Sequence, residues 1–240
     1  MKKLSFLILV FAVLFAIFFL LLIFLRVPFG LYPLMSYQDA IDLLTPLVLI
    51  PIYWLLFRIS AKGEASRVEE MAFMVLAALW VLGHGMHLAA NSINNLVEHL
   101  AKNQQIDILA TDIYTLIYFY DEKLSHFLWY SGILGLMALL SYREWKRPSD
   151  QTTGWWMVVL AGLIHGFTLF CIFLEGQAVV MGLPFTAIFT LLVLIWGRKK
   201  RSYQPLLAFF LIACILALSL FLGWGLYWGG FPEFSEVGLI

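Results

Sequence analysis

The 240-residue chain carries little charge: Asp, Glu, Lys and Arg make up 12% of its residues, against about 25% in a typical soluble domain. Hydrophobic residues make up 62%, and the mean hydropathy is +0.91. A soluble domain of this size buries only about three quarters of the surface of its unfolded chain. We therefore expect a multi-pass integral membrane protein, with the lipid bilayer as its solvent and the cell membrane as its location.

Cysteine and an excess of basic residues are also lacking. The two cysteines, Cys171 and Cys214, lie inside apolar runs, which excludes a secreted domain held together by disulfides. Fifteen basic residues balance fifteen acidic ones, so no basic surface is expected and nucleic acid is excluded as a partner. The metal-binding motifs HExxH, CxxC and HxH are absent as well.

The apolar residues that dominate the chain fall into seven runs of a length that crosses a bilayer as helix. We predict an all-α membrane protein that forms one polytopic domain over residues 1–240. The predicted spans are residues 4–25, 41–59, 71–96, 124–142, 155–174, 179–196 and 206–228. Residues 104–120 have apolar residues at helical spacing, which predicts an outer interfacial helix or an outward extension of the fourth span.

Basic residues predict the orientation. The amino terminus and the alternate loops hold 12 of the 15 lysines and arginines. By the positive-inside rule, these segments are cytoplasmic. The amino terminus is then cytoplasmic and the carboxyl terminus extracytoplasmic, which agrees with an odd number of spans.

The second span contains signals for its own start and for a break. Ser36 lies three residues before Asp39, which resembles a capping box with Asp in place of Glu or Gln. Pro46 and Pro51 lie inside the span, and proline removes a helical hydrogen bond. We predict a kink or local break there, which neighbouring helices must repair.

All five histidines and ten of the fifteen acidic residues are assigned to the outer half of the fold. Ionisable groups inside a membrane are costly, so they are functional candidates by default. At ~1.5 Å per residue, histidines from three helices fit within a slab about 10 Å tall. The histidines concerned are His84, His87, His126 and His165.

Imidazoles with carboxylates nearby are typical ligands of zinc or iron. The leading hypothesis is an outward-facing intramembrane site for a divalent metal, which would hydrolyse a lipid-like or other small-molecule substrate. The predicted metal ligands are His84, His87, His126 and His165. The predicted general bases for a metal-bound water are Glu122, Asp121 and Glu175. Further cofactor contacts are predicted at Asn91 and Thr168, which share helix faces with the histidines.

Three other functions fit the same residues. Two of the histidines would ligate one haem in a redox protein. The polar face that starts at His84 would carry a metal ion or a proton in a transporter, although no polar path continues to the cytoplasmic side. In a non-catalytic assembly subunit, the buried polar groups would only specify helix packing. The sequence predicts no oligomeric state.

Overall fold

The apolar runs fold as helices, which satisfy their own backbone hydrogen bonds without water. The computed structural model describes residues 3–21, 24–25, 27–60, 64–104, 110–149, 152–196 and 203–239. Its helices are α1 (Lys3–Ala16), α2 (Tyr37–Asp42), α3 (Leu44–Ile59), α4 (Arg67–Gln104), α5 (Asp112–Tyr118), α6 (Ser125–Lys146), α7 (Trp155–Glu175), α8 (Val179–Trp196) and α9 (Pro205–Trp228). A short antiparallel hairpin, β1 (Pro28–Phe29) and β2 (Tyr32–Ser36), precedes α2 and was not predicted.

Six helical stretches in the described part of the chain are long and apolar enough to cross a membrane. They are Lys3–Leu21, Tyr37–Ile59, Arg67–Val97, Asp112–Lys146, Trp155–Glu175 and Pro205–Trp228. The predicted all-α architecture with several membrane-spanning helices is therefore supported. The sixth predicted span, residues 179–196, corresponds to α8, which is apolar but shorter. The number of crossings and their direction stay predictions.

The break predicted in the second span lies between α2 and α3, and the start of α2 is capped as predicted. Ser36 Oγ accepts a hydrogen bond from the Asp39 backbone N–H, and Asp39 accepts one from the Ser36 N–H. Asp42 lies four residues before Pro46, which has no N–H to donate to the Asp42 carbonyl. The ring of His84 takes up this carbonyl instead, with Nε2 at 3.0 Å from the oxygen. A neighbouring helix thus repairs the break.

A continuous helical segment extends the fourth predicted span at its amino-terminal end. α5 leads through a π-helical turn, Phe119–Leu124, directly into α6. Residues 112–118 of the predicted helix 104–120 are thus helical and continue into the fourth span, whereas residues 105–109 lie outside the described residues. The position of this segment relative to the membrane stays a prediction. A second π-helical turn, Ile17–Leu21, follows α1. Such turns occur often at functional sites.

α4 and α6 pack against each other at close range through two glycines. A Cβ atom on Gly83 would collide with the backbone of Ser125 and Trp129. A Cβ atom on Gly132 would lie 2.7 Å from the carbonyl oxygen of Leu76. Small residues at such crossings allow membrane helices to approach closely. The two glycines therefore set both the distance and the antiparallel register of α4 and α6.

A buried arginine joins three helices at the end of the bundle where α3 and α6 stop. Arg143 is fully buried, and its Nη1 lies 3.2 Å from Glu69 Oε2. Its Nη2 donates to the carbonyl oxygens of Phe57 at 3.1 Å and of Glu64 at 2.7 Å. Arg147 pairs with the same Glu69. The Nη donors of Arg143 are used by neighbouring backbone and carboxylate oxygens, and the cluster thus ties α3, α4 and α6 together.

Replacing Gly83 by Ala tests the close contact between α4 and α6. The added methyl group meets fixed backbone atoms, so we expect Gly83→Ala to lower the unfolding free energy by about 1–3 kcal/mol. Gly85, two residues later, is the matched control, because a methyl group added there would have nothing within 4 Å. Gly85→Ala should leave stability unchanged or raise it by up to about 1 kcal/mol. Unfolding in detergent, followed by circular dichroism, measures both; equal effects would contradict this packing.

Candidate functional site

A cavity of about 510 Å³ lies at the end of the bundle where α4 meets the start of α6. Most of its wall is aromatic or aliphatic, and both π-helical turns contribute to it. The apolar lining includes Phe18, Phe19, Leu20, Phe24, Trp129, Tyr130, Phe167 and Ile172. The polar lining consists of Gln38, Asp42, His87, Glu122, His126 and Glu175. A largely apolar cleft with a few convergent polar groups is typical of a small-molecule site.

His87 connects the cavity to a fully buried carboxylate. Its Nδ1 lies 2.9 Å from Oδ1 of Asp121, whose side chain has no exposed surface. The other oxygen of Asp121 accepts a hydrogen bond of 3.3 Å from Asn94. The contact is close but not aligned as a hydrogen bond, since neither of the two atoms has a hydrogen-bond partner within the described residues. His87 and Asp121 thus form a buried imidazole–carboxylate pair beside the cavity.

His126 and Glu122 lie on the same wall of the cavity. The rings of His126 and His87 have centroids 4.8 Å apart. His126 Nδ1 lies 3.1 Å from the Glu122 carbonyl oxygen and 3.8 Å from its carboxylate. His126 and Glu122 therefore stand beside the pair of His87 and Asp121 on one wall of the cavity.

His84 and His165 do not line the cavity. His84 is held by Asp42, with 3.0 Å to the backbone oxygen and 3.4 Å to the carboxylate. His165 is fully buried among Phe11, Phe15 and Phe209, whose ring centroids lie 4.5 to 5.5 Å from its own. Neither of its ring nitrogens has a hydrogen-bond partner within the described residues. His165 is therefore separated from His87 and His126 by aromatic side chains.

The structure does not bring the four histidines into one metal site. Among the residues it describes, no three His, Cys, Asp or Glu side chains are grouped so that they could hold a metal ion. The physical reason is that the rings have different surroundings. His87 contacts a carboxylate, His84 contacts a backbone carbonyl, and His165 is packed among aromatic rings. The predicted zinc-binding cluster is thus unsupported.

The remaining predicted residues are divided between the cavity and its surroundings. Glu175 lies on the cavity wall and accepts a hydrogen bond of 3.0 Å from the Phe234 backbone N–H. Thr168 is buried off the cavity, and its hydroxyl donates to the Ile164 carbonyl oxygen at 2.9 Å. Asn91 lines a separate cavity of about 590 Å³ and accepts a hydrogen bond of 3.1 Å from Asn95.

The segment after α9 closes one side of the cavity. Phe234 and Leu239 are part of the cavity wall. Trp224 Nε1 donates to the Pro232 carbonyl oxygen at 3.0 Å, and this bond folds the segment back onto α9. The chain end therefore helps to shield the polar groups from the surroundings.

Several wall residues escaped the sequence analysis, although a signal for some of them exists. Trp129 and Tyr130 follow His126 by three and four residues and thus share its helix face. Periodicity around His126 would have found them. Phe18 and Phe19 carry no such signal, because they lie in a uniformly apolar run and reach the cavity through a π-helical turn.

Comparison of the chain with protein-family models, curated proteins and solved structures gives no match. The functional interpretation therefore depends on the geometry of the cavity alone.

The two histidines outside the cavity should respond differently to replacement by Phe. His165→Phe removes two polar atoms that lack partners, so we expect an unchanged or higher melting temperature. His84→Phe leaves the Asp42 carbonyl without a partner, which should cost about 1–3 kcal/mol. Thermal unfolding of both variants in one detergent measures the difference. If His165→Phe is destabilised as much as His84→Phe, the imidazole of His165 has a partner.

Proposed function

We propose that the protein is a membrane-embedded enzyme that performs general acid–base chemistry, with hydrolysis as the leading reaction, on a lipid-like molecule bound in the cavity. The observation that carries this proposal is the contact of 2.9 Å between His87, on the cavity wall, and the buried carboxylate of Asp121. A buried polar pair of this kind is expensive in a membrane. Helix packing alone would not require its second imidazole nitrogen to border a cavity.

The side chains have distinct roles in this proposal. His87 Nε2 accepts a proton from a water or a substrate hydroxyl, and Asp121 stabilises the imidazolium that forms. His126 or Glu122, on the same wall, returns a proton to the leaving group. Glu175 lies near the segment after α9 and polarises the mouth of the cavity. The aromatic wall excludes water from the rest of the substrate, which strengthens each of these interactions.

A metal-dependent version of the same reaction is the second candidate. His87, backed by the Asp121 carboxylate, has the partner that metal-ligating histidines usually have. His126, with its ring centroid 4.8 Å from that of His87, would be a second ligand for zinc or iron. Elemental analysis of the purified protein decides between the versions. Stoichiometric zinc or iron would favour the metal-dependent enzyme, and a Soret band would instead favour a haem protein.

Loss of conversion in a His87 variant is the test of the enzymatic proposal. Purified protein is incubated with a lipid extract, and new products are followed by mass spectrometry. We expect His87→Ala and Asp121→Asn to lower product formation by about 100-fold or more, because proton transfer contributes that much. His165→Phe, a buried histidine outside the cavity, is the matched control and should convert the same lipids. Full conversion by His87→Ala, or none by the wild type, would favour a transporter or an assembly subunit.

We propose seven crossings in the cell membrane, with the amino terminus cytoplasmic and the cavity facing outward. The support is the distribution of basic residues, 12 of 15 on one side. Reporter fusions after Arg67, Arg147 and Arg201 should all report the cytoplasm. The fusion after Arg201 also tests whether α8 crosses the membrane. A report of the outer side from any of them would contradict the seven-span topology.

A further inference from the structure

The segment that follows α9, residues 229–239, covers one side of the cavity. We infer that this segment is a hinged lid, which turns about Gly229 and is held shut by a latch at Gln177. The open lid admits water and the polar end of a ligand to the cavity. The inference rests on the proposed function, since it concerns access to the same cavity.

The lid has an inner and an outer face. Phe234 and Leu239 line the cavity, whereas Ser235 and Glu236 are exposed. Hydrogen bonds within the lid fold it into a turn: the Leu239 N–H donates to the Phe234 carbonyl oxygen at 2.9 Å, and the Glu233 N–H donates to the Glu236 carboxylate at 2.9 Å. Because these bonds lie inside the segment, the lid can move as one unit without breaking them.

Two glycines connect the lid to α9. Gly229 has a φ of +67°, in the left-handed region that glycine adopts without strain. A Cβ atom added to Gly229 or to Gly230 would have no atom of the described chain within 4 Å. Hinges are a few residues at the end of an element that absorb a large change in backbone dihedrals. These two residues meet that description, because neighbouring side chains do not confine them.

A small set of contacts holds the lid against α7 and α9. The Phe234 ring lies beside Trp224 and Phe170, with centroid distances of 5.1 and 5.9 Å. The Phe234 N–H donates to the Glu175 carboxylate, and Trp224 donates to the Pro232 carbonyl oxygen, each at 3.0 Å. Segments with few buried contacts open at a lower free energy than the packed helices around them. The lid can therefore open while the bundle stays folded.

Gln177, in the turn between α7 and α8, supplies the latch. Its Nε2 donates to Glu233 of the lid at 2.7 Å, and its Oε1 accepts from Lys123 Nζ at 2.9 Å. It has a φ of +48° and is the only non-glycine residue of the described chain with a positive φ. Residues in this strained conformation cluster at switch regions and ligand clamps, where the surrounding contacts hold them. The two hydrogen bonds are such contacts.

The latch also connects the lid to the polar end of the cavity. Lys123 belongs to the π-helical turn Phe119–Leu124, which contains Asp121, the carboxylate beside His87. Each of the three latch residues is adjacent in sequence to a residue of the cavity wall, namely Glu122, Gly176 and Phe234. Closure of the lid is thereby linked to the position of the turn that carries Asp121.

Hydrogen–deuterium exchange of the full chain in nanodiscs, followed by mass spectrometry, tests the latch. Gln177→Glu keeps an acceptor for Lys123 but places a repelling carboxylate against Glu233. We expect the amides of residues 229–239 to exchange about tenfold faster in this variant, since one lost hydrogen bond shifts an opening equilibrium by that order. Glu233→Ala, which leaves the strained turn untouched, should have the same effect. Exchange within α9 should not change.

A swapped pair is the matched control. Gln177→Glu combined with Glu233→Gln keeps the net charge of the wild type and restores a donor opposite an acceptor, so slow exchange of the lid should return. Wild-type exchange in both Gln177→Glu and Glu233→Ala, or fast exchange in the swapped pair, would overturn the latch.

Modification of a native cysteine tests whether the lid controls access. Cys171 lines the cavity, whereas Cys214 is fully buried and does not line it. A charged, membrane-impermeant methanethiosulfonate should modify Cys171 about tenfold faster in Glu233→Ala than in the wild type, in proportion to lid opening. Cys214 should stay unmodified in both proteins. Faster lid exchange with an unchanged rate at Cys171 would overturn the inference. Neither measurement involves turnover, so retained conversion in His87→Ala would refute only the enzymatic proposal.

Discussion

The close contact of α4 and α6 is the constraint on which the rest of the site depends. Gly83 faces the backbone of Ser125 and Trp129, and Gly132 faces that of Leu76 and Trp80. With no side chains between them, the two helices have a single antiparallel register. In that register, the turn after Gly83 comes opposite the start of α6. His87 therefore meets Asp121, and its ring lies beside that of His126, tilted by 40° with the centroids 4.8 Å apart.

Three departures from regular α-helix lie around the cavity: the break before Pro46 and the two π-helical turns. Pro46 leaves the Asp42 carbonyl without its usual donor, and His84 fills that role. The π-helical turn Phe119–Leu124 contains both Asp121, which is fully buried, and Glu122, which lines the cavity. The turn Ile17–Leu21 contributes three consecutive residues to the cavity wall. Each irregular segment thus contributes residues to the wall of the same cavity.

The polar groups of the bundle gather at two levels with different chemistry. Near the end of α6, the Nη atoms of Arg143 donate to Glu69 and to two backbone carbonyls. Near its start, carboxylates and histidines line a cavity. A layer rich in aromatic residues, with Phe15, Trp80 and His165, separates the two levels.

The amino-acid sequence by itself determined the helices, because a chain this apolar must form its backbone hydrogen bonds within each segment. It also determined the capped start of α2 at Ser36, the break near Pro46 and the collection of histidines and acids toward one end. Only the tertiary structure decided which of these residues share a cavity. Depth along a helix follows from counting residues, whereas rotation about the helix axis depends on the packed neighbours. His165 lies at a depth similar to that of His84, yet its ring points into phenylalanines because α7 packs against α1 and α9.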